Sequence, residues 1–265
     1  MKVSQFLNSL EAIHVLHDDL PVEQTAAEYI ISGSSPAANI ASSNCQGKRK
    51  ILSLGTLSTA EAAERGIPNN GVDEWMFIKS GSDQSLQLFV SHTWFLYRLA
   101  CQVVEEWPDR ELSEFSEGKF ITPAFKMLRP AYDSLLNNHA RTAKGFDSED
   151  HIREMARQGY THIEVNGYAA NFPYEKAAPD ELLHLFYTYC PALYQFVYSK
   201  LNKGIYPFDY LQANLRKLVH SAQLAEKYGL RAGILSFEPR SVPDELLQRY
   251  PMLRGARVDH PLRSF

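Results

Sequence analysis

The alternation of apolar and polar positions is clearest in residues 149–170, EDHIREMARQGYTHIEVNGYAA. Within the string IREMA at 152–156, apolar residues recur at the i, i+3 and i+4 spacing that places a stripe on one face of a helix. Gly159 follows, and a glycine there can take the positive φ that ends a helix. The β-branched run at 161–165 then predicts a short buried strand. A helix that leads directly into such a strand is the repeating step of a parallel α/β sheet or barrel.

The same step returns later in the chain, where a predicted helix at 208–228 ends at Gly229 and a strand follows at 231–237. Before residue 118, the pattern predicts a smaller α/β unit. Its predicted elements are helices at 22–31, 59–65 and 93–107, a strand at 50–57, and a hairpin with strands at 73–79 and 86–91. The charged segment 109–120 is predicted to link this unit to the rest of the chain.

Composition narrows the classes of function. The 265 residues carry 27 Lys and Arg against 31 Asp and Glu, a net charge of -4, so no nucleic-acid partner is expected. Cys45, Cys101 and Cys190 lie far apart and predict buried thiols rather than a metal site or disulfides. No run approaches the roughly 20 apolar residues of a membrane helix, and no signal peptide is apparent. We therefore expect a cytoplasmic protein with no cofactor, no metal and no membrane partner, and its oligomeric state stays open.

Two strings in the first unit give it a more specific character. DEWMF at 73–77 lies in a predicted strand, and LYRL at 96–99 lies in the helix that follows the hairpin. In this order, they resemble the small α/β domain that precedes the barrel in family 20 glycoside hydrolases (β-hexosaminidases) and in α-glucuronidases. The chain departs from that pattern at 91–93, where Ser-His-Thr replaces a Gly-containing turn. The resemblance implies a zincin-like, hexosaminidase-type domain at 1–118.

Residues 119–265 are similar to the opening of the catalytic (β/α)8 barrel of the same enzymes. PAFKMLRPAYDS, THIEVNGYA and RAGILSFEPR would be its first three strands. A complete barrel needs about 250 residues. The resemblance therefore implies a partial, truncated TIM-type barrel without the acid–base carboxyl pair of the fourth strand. The expected fold class is α/β, with a small hexosaminidase-type domain followed by this partial barrel.

The candidate site residues lie where the predicted barrel strands end. Arg129 and Asp133 follow the first strand, where the resemblance implies a clamp on sugar hydroxyls; the alternative is a surface ion pair, since their spacing departs from the family's. Asn166 ends the second strand and either binds a sugar hydroxyl or satisfies the turn that follows it. Glu238 is the candidate catalytic carboxyl after the third strand. Arg240 could bind a sugar carboxylate or pair with Glu238.

These observations lead to one expected function and one alternative. The expected function is that of a carbohydrate-active protein, the N-terminal part of a glycoside hydrolase acting on hexosaminide or uronide bonds, with a carbohydrate substrate. The alternative is a non-catalytic sugar-binding or interaction module derived from a glycosidase barrel. A sugar isomerase or aldolase would need a Lys or a metal-ligand cluster at the strand ends, and the sequence shows no suitable one.

Overall fold

The computed structural model describes most of the chain. The described residues are 1–34, 38–42, 50–68, 71–82, 84–130, 147–166, 196–234 and 248–253. Three of the predicted site residues, Asp133, Glu238 and Arg240, lie outside them.

The chain divides into two compact units. Unit 1 consists of Met1–Arg129, His151–Ile163 and Ala225–Arg231. Unit 2 consists of Pro130–Asp150, Glu164–Leu224 and Ala232–Phe265. Unit 1 therefore takes its residues from three stretches that are far apart in sequence.

Helices and strands alternate through much of the described chain. The helices are α1 (Val3–Leu7), α2 (Pro21–Gly33), α3 (Thr59–Glu64), α4 (Leu96–Cys101), α5 (Ser148–Arg157) and α6 (Phe208–Lys227). The strands are β1 (Ala12–Val15), β2 (Asn39–Ala41), β3 (Ile51–Thr56), β4 (Met76–Ser80), β5 (Leu86–Val90), β6 (Lys119–Ile121), β7 (His162–Glu164) and β8 (Arg231–Gly233). Short 3-10 turns lie at Thr93–Phe95, Leu112–Phe115 and Pro251–Leu253, and a π-helical turn lies at Gln102–Glu106.

The centre of unit 1 is a sheet of six strands in the order β2-β1-β3-β5-β4-β6. β1 pairs in parallel with β2 and β3, and β3 pairs in parallel with β5. β4 is antiparallel to both β5 and β6. Leucines of β3 and β5 are fully buried, and α2 packs against β1, β3 and α4. This parallel-rich sheet with helices confirms the α/β class.

Most elements predicted for this unit are found close to their predicted bounds. α3 is capped by Ser58, whose hydroxyl accepts the N–H of Glu61 at 3.3 Å. The Glu61 carboxylate in turn accepts the Ser58 N–H at 2.8 Å, which completes a capping box. The predicted hairpin is the antiparallel pair β4–β5.

Several parts of unit 1 differ from the prediction. α1, β1 and β2 were not predicted, because segments of three to five residues are too short to show a clear periodicity. The segment 109–120 is not a linker. Leu112 and Phe115 are buried in it, and Lys119–Ile121 pairs with β4 at the edge of the sheet.

The predicted helix at 93–107 is helical but irregular. It begins with the 3-10 turn Thr93–Phe95, continues as α4 and ends in the π-helical turn. There the N–H of Trp107 bonds to the carbonyl of Gln102 at 2.9 Å, five residues back. π-helical turns of this kind are rare and are frequently found at functional sites.

The two predicted helix–glycine–strand steps are present. α5 precedes β7 and α6 precedes β8, with Gly159 and Gly229 both at positive φ, 89° and 78°. β7 and β8 pair, since Arg231 N–H bonds to Thr161 at 3.0 Å and Val165 N–H bonds to Gly233 at 2.9 Å. Partner numbers rise together along the two strands, which is the parallel arrangement. The described residues show these two steps and not a barrel.

Candidate functional site

Six residues of unit 1 form a connected polar and aromatic group around one buried indole. We call this group the basic–aromatic cluster. Its members are Glu74, His92, Trp94, Arg129, His162 and Arg231.

Trp94 is the platform of the cluster. The ring of His92 stacks on its indole with centroids 4.3 Å apart, and the guanidinium carbon of Arg231 lies 4.1 Å from the ring centroid. The ring of His162 lies at 6.4 Å. Because Trp94 is only 5% exposed, its indole holds these groups in place and is not itself a surface for a ligand.

Local structure explains how these residues meet. His92 and Trp94 directly follow β5, whereas His162 and Arg231 are the first residues of β7 and β8. Gly229 makes the last approach possible, because a Cβ atom there would lie 2.4 Å from the carbonyl oxygen of Thr93. The Thr93 hydroxyl also donates to the Gly229 carbonyl at 3.3 Å. This close contact brings Arg231 over the indole.

Each histidine of the cluster is oriented by the hydroxyl residue before it. Nδ1 of His92 lies 2.9 Å from Oγ of Ser91, and Nδ1 of His162 lies 2.7 Å from Oγ1 of Thr161. Both imidazoles are half-buried. Their hydrogen bonds therefore fix the direction of the second ring nitrogen, Nε2, as well.

The environment keeps both imidazoles neutral near pH 7. Burial lowers the pKa of His92 below 6.5; Arg231 adds to this, while Glu74 and Asp73 oppose it. Burial also lowers the pKa of His162, and the charges of Arg231 and Arg129 add to this against Glu74. The cations of the cluster are thus its two arginines.

Several groups of the cluster have unused bonding capacity. In the described part of the chain, Arg231 makes no ion pair with a carboxylate. The indole N–H of Trp94 and Oε2 of Glu74 are buried and find no hydrogen-bond partner among the described residues. Buried polar groups are usually satisfied, so this combination indicates a place where a ligand supplies bonds.

A second polar group lies where β1 and β3 end. The buried carboxylate of Glu23 accepts the backbone N–H groups of His17 and Thr56 at 2.7 and 2.8 Å, and lies 2.9 Å from Nδ1 of His17. Nε2 of His17 is 3.7 Å from Glu61. Although burial opposes it, these carboxylates raise the pKa of His17. Because the carboxylate oxygens of Glu23 already accept hydrogen bonds within the protein, we interpret this group as a structural link between the ends of the two strands.

The predicted site residues fall in different places. Arg129 is exposed and belongs to the basic–aromatic cluster through its effect on His162. Asn166 follows β7, is fully buried and lies in unit 2. Its role as a sugar contact stays a prediction, as do those of Asp133, Glu238 and Arg240 outside the described residues.

His92, Trp94, His162 and Arg231 were not among the residues predicted for a site. One signal was available, since His162 and Arg231 each open a strand just after a glycine corner. No group of three or more His, Cys, Asp or Glu side chains in the described residues is arranged to hold a metal ion. Within the same residues, no helix is long and apolar enough to cross a membrane.

Comparisons with known proteins give no family. No family model and no curated protein matches the chain. Among solved structures, it is similar to a GH138 enzyme targeting pectin rhamnogalacturonan II, with a TM-score of 0.45 and 10% identity over 83% of this chain and 24% of that one. It is also similar to CpGH84D, with a TM-score of 0.37 and 11% identity over 83% of this chain and 40% of that one.

The chain thus spans less than half the length of either structure. Both likenesses are too distant to carry a conclusion on activity, and neither is to a family 20 enzyme. The hexosaminidase relationship stays a prediction.

Proposed function

We propose that this chain is part of a carbohydrate-active protein of the glycoside hydrolase type and that it binds an acidic sugar, a uronide. The observation that carries the proposal is the guanidinium of Arg231. It is held over Trp94 at 4.1 Å and makes no ion pair in the described part of the chain. The second arginine of the cluster, Arg129, adds positive charge beside His162.

The chemistry of the cluster favours a uronide over a hexosaminide. A guanidinium presents two parallel N–H donors, which match the two oxygens of a carboxylate. An acetamido group offers one acceptor oxygen, one N–H donor and a methyl group, and the methyl group packs best on an exposed aromatic face. Trp94 offers no such face because its indole is buried.

The proposal is tested by titrating the protein with oligosaccharides of galacturonate and of glucuronate, and with neutral oligosaccharides of the same length. We expect saturable binding of the uronides and none of the neutral sugars. Arg231→Gln should weaken uronide binding at least tenfold, since hydrogen bonds to charged groups contribute about 1.5–3 kcal/mol.

A matched control is available in the same unit. Arg65 is exposed and lies over the ring of Phe89 at 5.2 Å, so it makes the same kind of cation–π contact away from the cluster. Arg65→Gln should leave uronide affinity unchanged. Equal binding of neutral sugars, or full uronide affinity in Arg231→Gln, would contradict the proposal.

Whether binding leads to cleavage is a separate question. Glycosidic hydrolysis needs two carboxyl groups beside the bond, and the candidate Glu238 lies outside the described residues. The carboxylates whose charges act on His92 are Glu74, a member of the cluster, and its sequence neighbour Asp73, which lies 3.8 Å from Lys126. This arrangement favours the non-catalytic module as the second candidate. We expect little turnover of aryl glucuronides by these 265 residues alone; turnover that Glu238→Gln abolishes would instead support the hydrolase.

A further inference from the structure

The two histidines of the basic–aromatic cluster share a local arrangement that goes beyond charge. Each follows a hydroxyl residue in sequence, Ser91 before His92 and Thr161 before His162. Each hydroxyl also bonds to the backbone of a residue in another segment of unit 1, Trp75 or Leu128. Each hydroxyl group thus has the same three kinds of partner: a backbone N–H, the carbonyl of that same residue, and Nδ1 of the histidine that follows.

The bonds of Thr161 favour one tautomer of His162. Its hydroxyl accepts the N–H of Leu128 at 2.8 Å and has one proton to donate, either to the Leu128 carbonyl at 3.0 Å or to Nδ1 of His162 at 2.7 Å. The carbonyl also accepts the N–H groups of Thr161 and His162. We assign the hydroxyl proton to the carbonyl, because two oxygens 3.0 Å apart with no proton between them repel each other, and Nδ1 then carries the hydrogen. In the neutral ring, the lone pair is then on Nε2.

Ser91 makes the corresponding bonds with Trp75. Its hydroxyl accepts the Trp75 N–H at 2.8 Å and donates to the Trp75 carbonyl at 3.3 Å. Nδ1 of His92 lies 2.9 Å from the same oxygen. The same assignment puts the hydrogen of His92 on Nδ1, but Nδ1 lies closer to Oγ than the carbonyl does, so Ser91 favours this tautomer only weakly.

Both Nε2 atoms are acceptors that the described residues leave unused. No hydrogen bond of Nε2 is present for His92 or His162 in the described part of the chain. The two rings lie 4.3 and 6.4 Å from the indole of Trp94, which also carries Arg231. The two imidazoles and the guanidinium of Arg231 thus surround the same indole.

This combination matches the two kinds of polar group on an acidic sugar. Its ring hydroxyls are donors for a lone pair, and its carboxylate is an acceptor for a guanidinium. We propose that His92 and His162 accept the ring hydroxyls of the sugar whose carboxylate lies on Arg231, and that Ser91 and Thr161 are the positioning residues that fix the required tautomer. The inference rests on the proposed function above, because it concerns the same ligand.

The tautomers are tested without any ligand. In ¹⁵N-labelled protein, we expect both imidazoles to show the hydrogen on Nδ1 at pH 7.5. Thr161→Val should release this preference in His162 and not in His92, and Ser91→Ala should do the reverse. Thr161→Ser keeps the hydroxyl and is the control. Hydrogen on Nε2 in the unmodified protein would overturn the proposal.

Binding gives the second test. Thr161→Val and Ser91→Ala should each remove one Nε2 acceptor for a sugar hydroxyl and weaken galacturonate binding about three- to tenfold. Thr161→Ser should bind galacturonate as the unmodified protein does. If Thr161→Val does not fold, Ser91→Ala tests the same point. Full affinity in a folded variant that has lost the tautomer would refute the role of the lone pairs.

The pH dependence separates this inference from simple charge attraction. The charged groups that face His92 are Glu74, Asp73 and Arg231, and those that face His162 are Arg231, Arg129 and Glu74. Acidification from pH 7.5 through the pKa values of the two imidazoles, which lie below 6.5, protonates Nε2 and removes the acceptors. Galacturonate should then bind more weakly, whereas acetate, which has no ring hydroxyls, should bind at least as well.

A rise in galacturonate affinity on acidification would mean that only charge matters and would overturn the inference while leaving the proposed function intact. Absence of galacturonate binding at pH 7.5 would instead contradict the proposed function, and the tautomer measurement would still judge the positioning role of Ser91 and Thr161.

Discussion

Unit 1 contains two charged regions that use the same residue types in opposite ways. One is the basic–aromatic cluster. The other, which we call the ion-pair network, joins α2, the π-helical turn and α5, and its members are Tyr29, Arg98, Glu105, Glu106, Glu154 and Arg157. In the network every arginine has a carboxylate, whereas Arg231 in the cluster has none in the described part of the chain.

The distances in the network are those of saturated pairs. Arg157 lies 2.7 Å from Glu154 and 2.8 Å from Glu105, and Arg98 lies 2.6 Å from Glu106. Arg98 also donates to the carbonyl of Arg157 at 3.1 Å. Such groups hold α5 on α4, and their charges are already paired within the protein. The comparison shows that the presence of an arginine says little about binding until its partners are known.

The largest effect is expected for the platform of the cluster. Trp94→Ala should lower the free energy of unfolding by about 3–5 kcal/mol, the range for removing a large buried aromatic side chain. It should also abolish uronide binding, because His92 and Arg231 lose the ring on which they lie. Urea unfolding and ligand titration at low temperature measure the two effects.

Trp107→Ala is the matched control for this prediction. Trp107 is also a buried indole, and it carries Arg110 at 5.8 Å, but it lies outside the cluster. It should cost a comparable free energy without loss of affinity. If Trp94→Ala still bound uronides normally, the assignment of the site would fail.

A smaller effect is expected in the ion-pair network. Glu105→Gln should lower the free energy of unfolding by about 1 kcal/mol, since Glu105 is partly exposed and such pairs are weakened by solvent. Uronide affinity should not change. Glu114→Gln, which removes only the exposed pair with Arg110, should cost less than Glu105→Gln. A loss of affinity in Glu105→Gln would contradict the separation of the two regions.

The smallest effects are those of pH on stability, and the two regions should respond in different ranges. Hydrogen bonds from Arg157 lower the pKa of Glu154 from 4.5 to about 2. The pKa values of His92 and His162 are lowered from 6.5. In both cases, the folded state binds fewer protons than the unfolded state does. Each group's contribution to the free energy of unfolding is therefore present above its unfolded pKa and is lost as the pH falls through its folded pKa.

The histidine contribution should therefore disappear below pH 6.5, and that of Glu154 only between pH 4.5 and 2. His17 has a raised pKa and acts in the opposite direction, so the measurement must be a difference. Urea unfolding of the unmodified protein and of the His92→Gln, His162→Gln double variant should diverge as the pH falls below 6.5. Parallel curves over that range would show that these imidazoles do not titrate as described.

The sequence predicted the parts of the fold that depend on local chemistry. Gly159 and Gly229 marked the ends of two helices, because positive φ is a property of the glycine itself and its nearest neighbours. The segment 109–120 was misinterpreted because its exposed charges obscure two buried positions, Leu112 and Phe115.

The candidate site could not be predicted in the same way. Trp94, His162 and Arg231 are far apart in sequence, and only the pairing of β7 with β8 and the packing on the helical segment after β5 bring them together. The sequence also does not show that Trp94 is buried. An exposed Trp94 would be a platform for a sugar ring, whereas the buried indole leaves the polar groups around it to contact a ligand.

Gly229 gives the cluster an unusual vulnerability. A methyl group there would meet the carbonyl of Thr93 at 2.4 Å and Cγ2 of Val22 at 2.8 Å, and the backbone has a φ of 78° that side chains rarely adopt. The segment that carries Arg231 would have to move away from the indole. A single uncharged substitution could thus silence the site while every ionisable residue stayed in the chain, so a comparison of charged residues alone would not detect a protein that has lost this function.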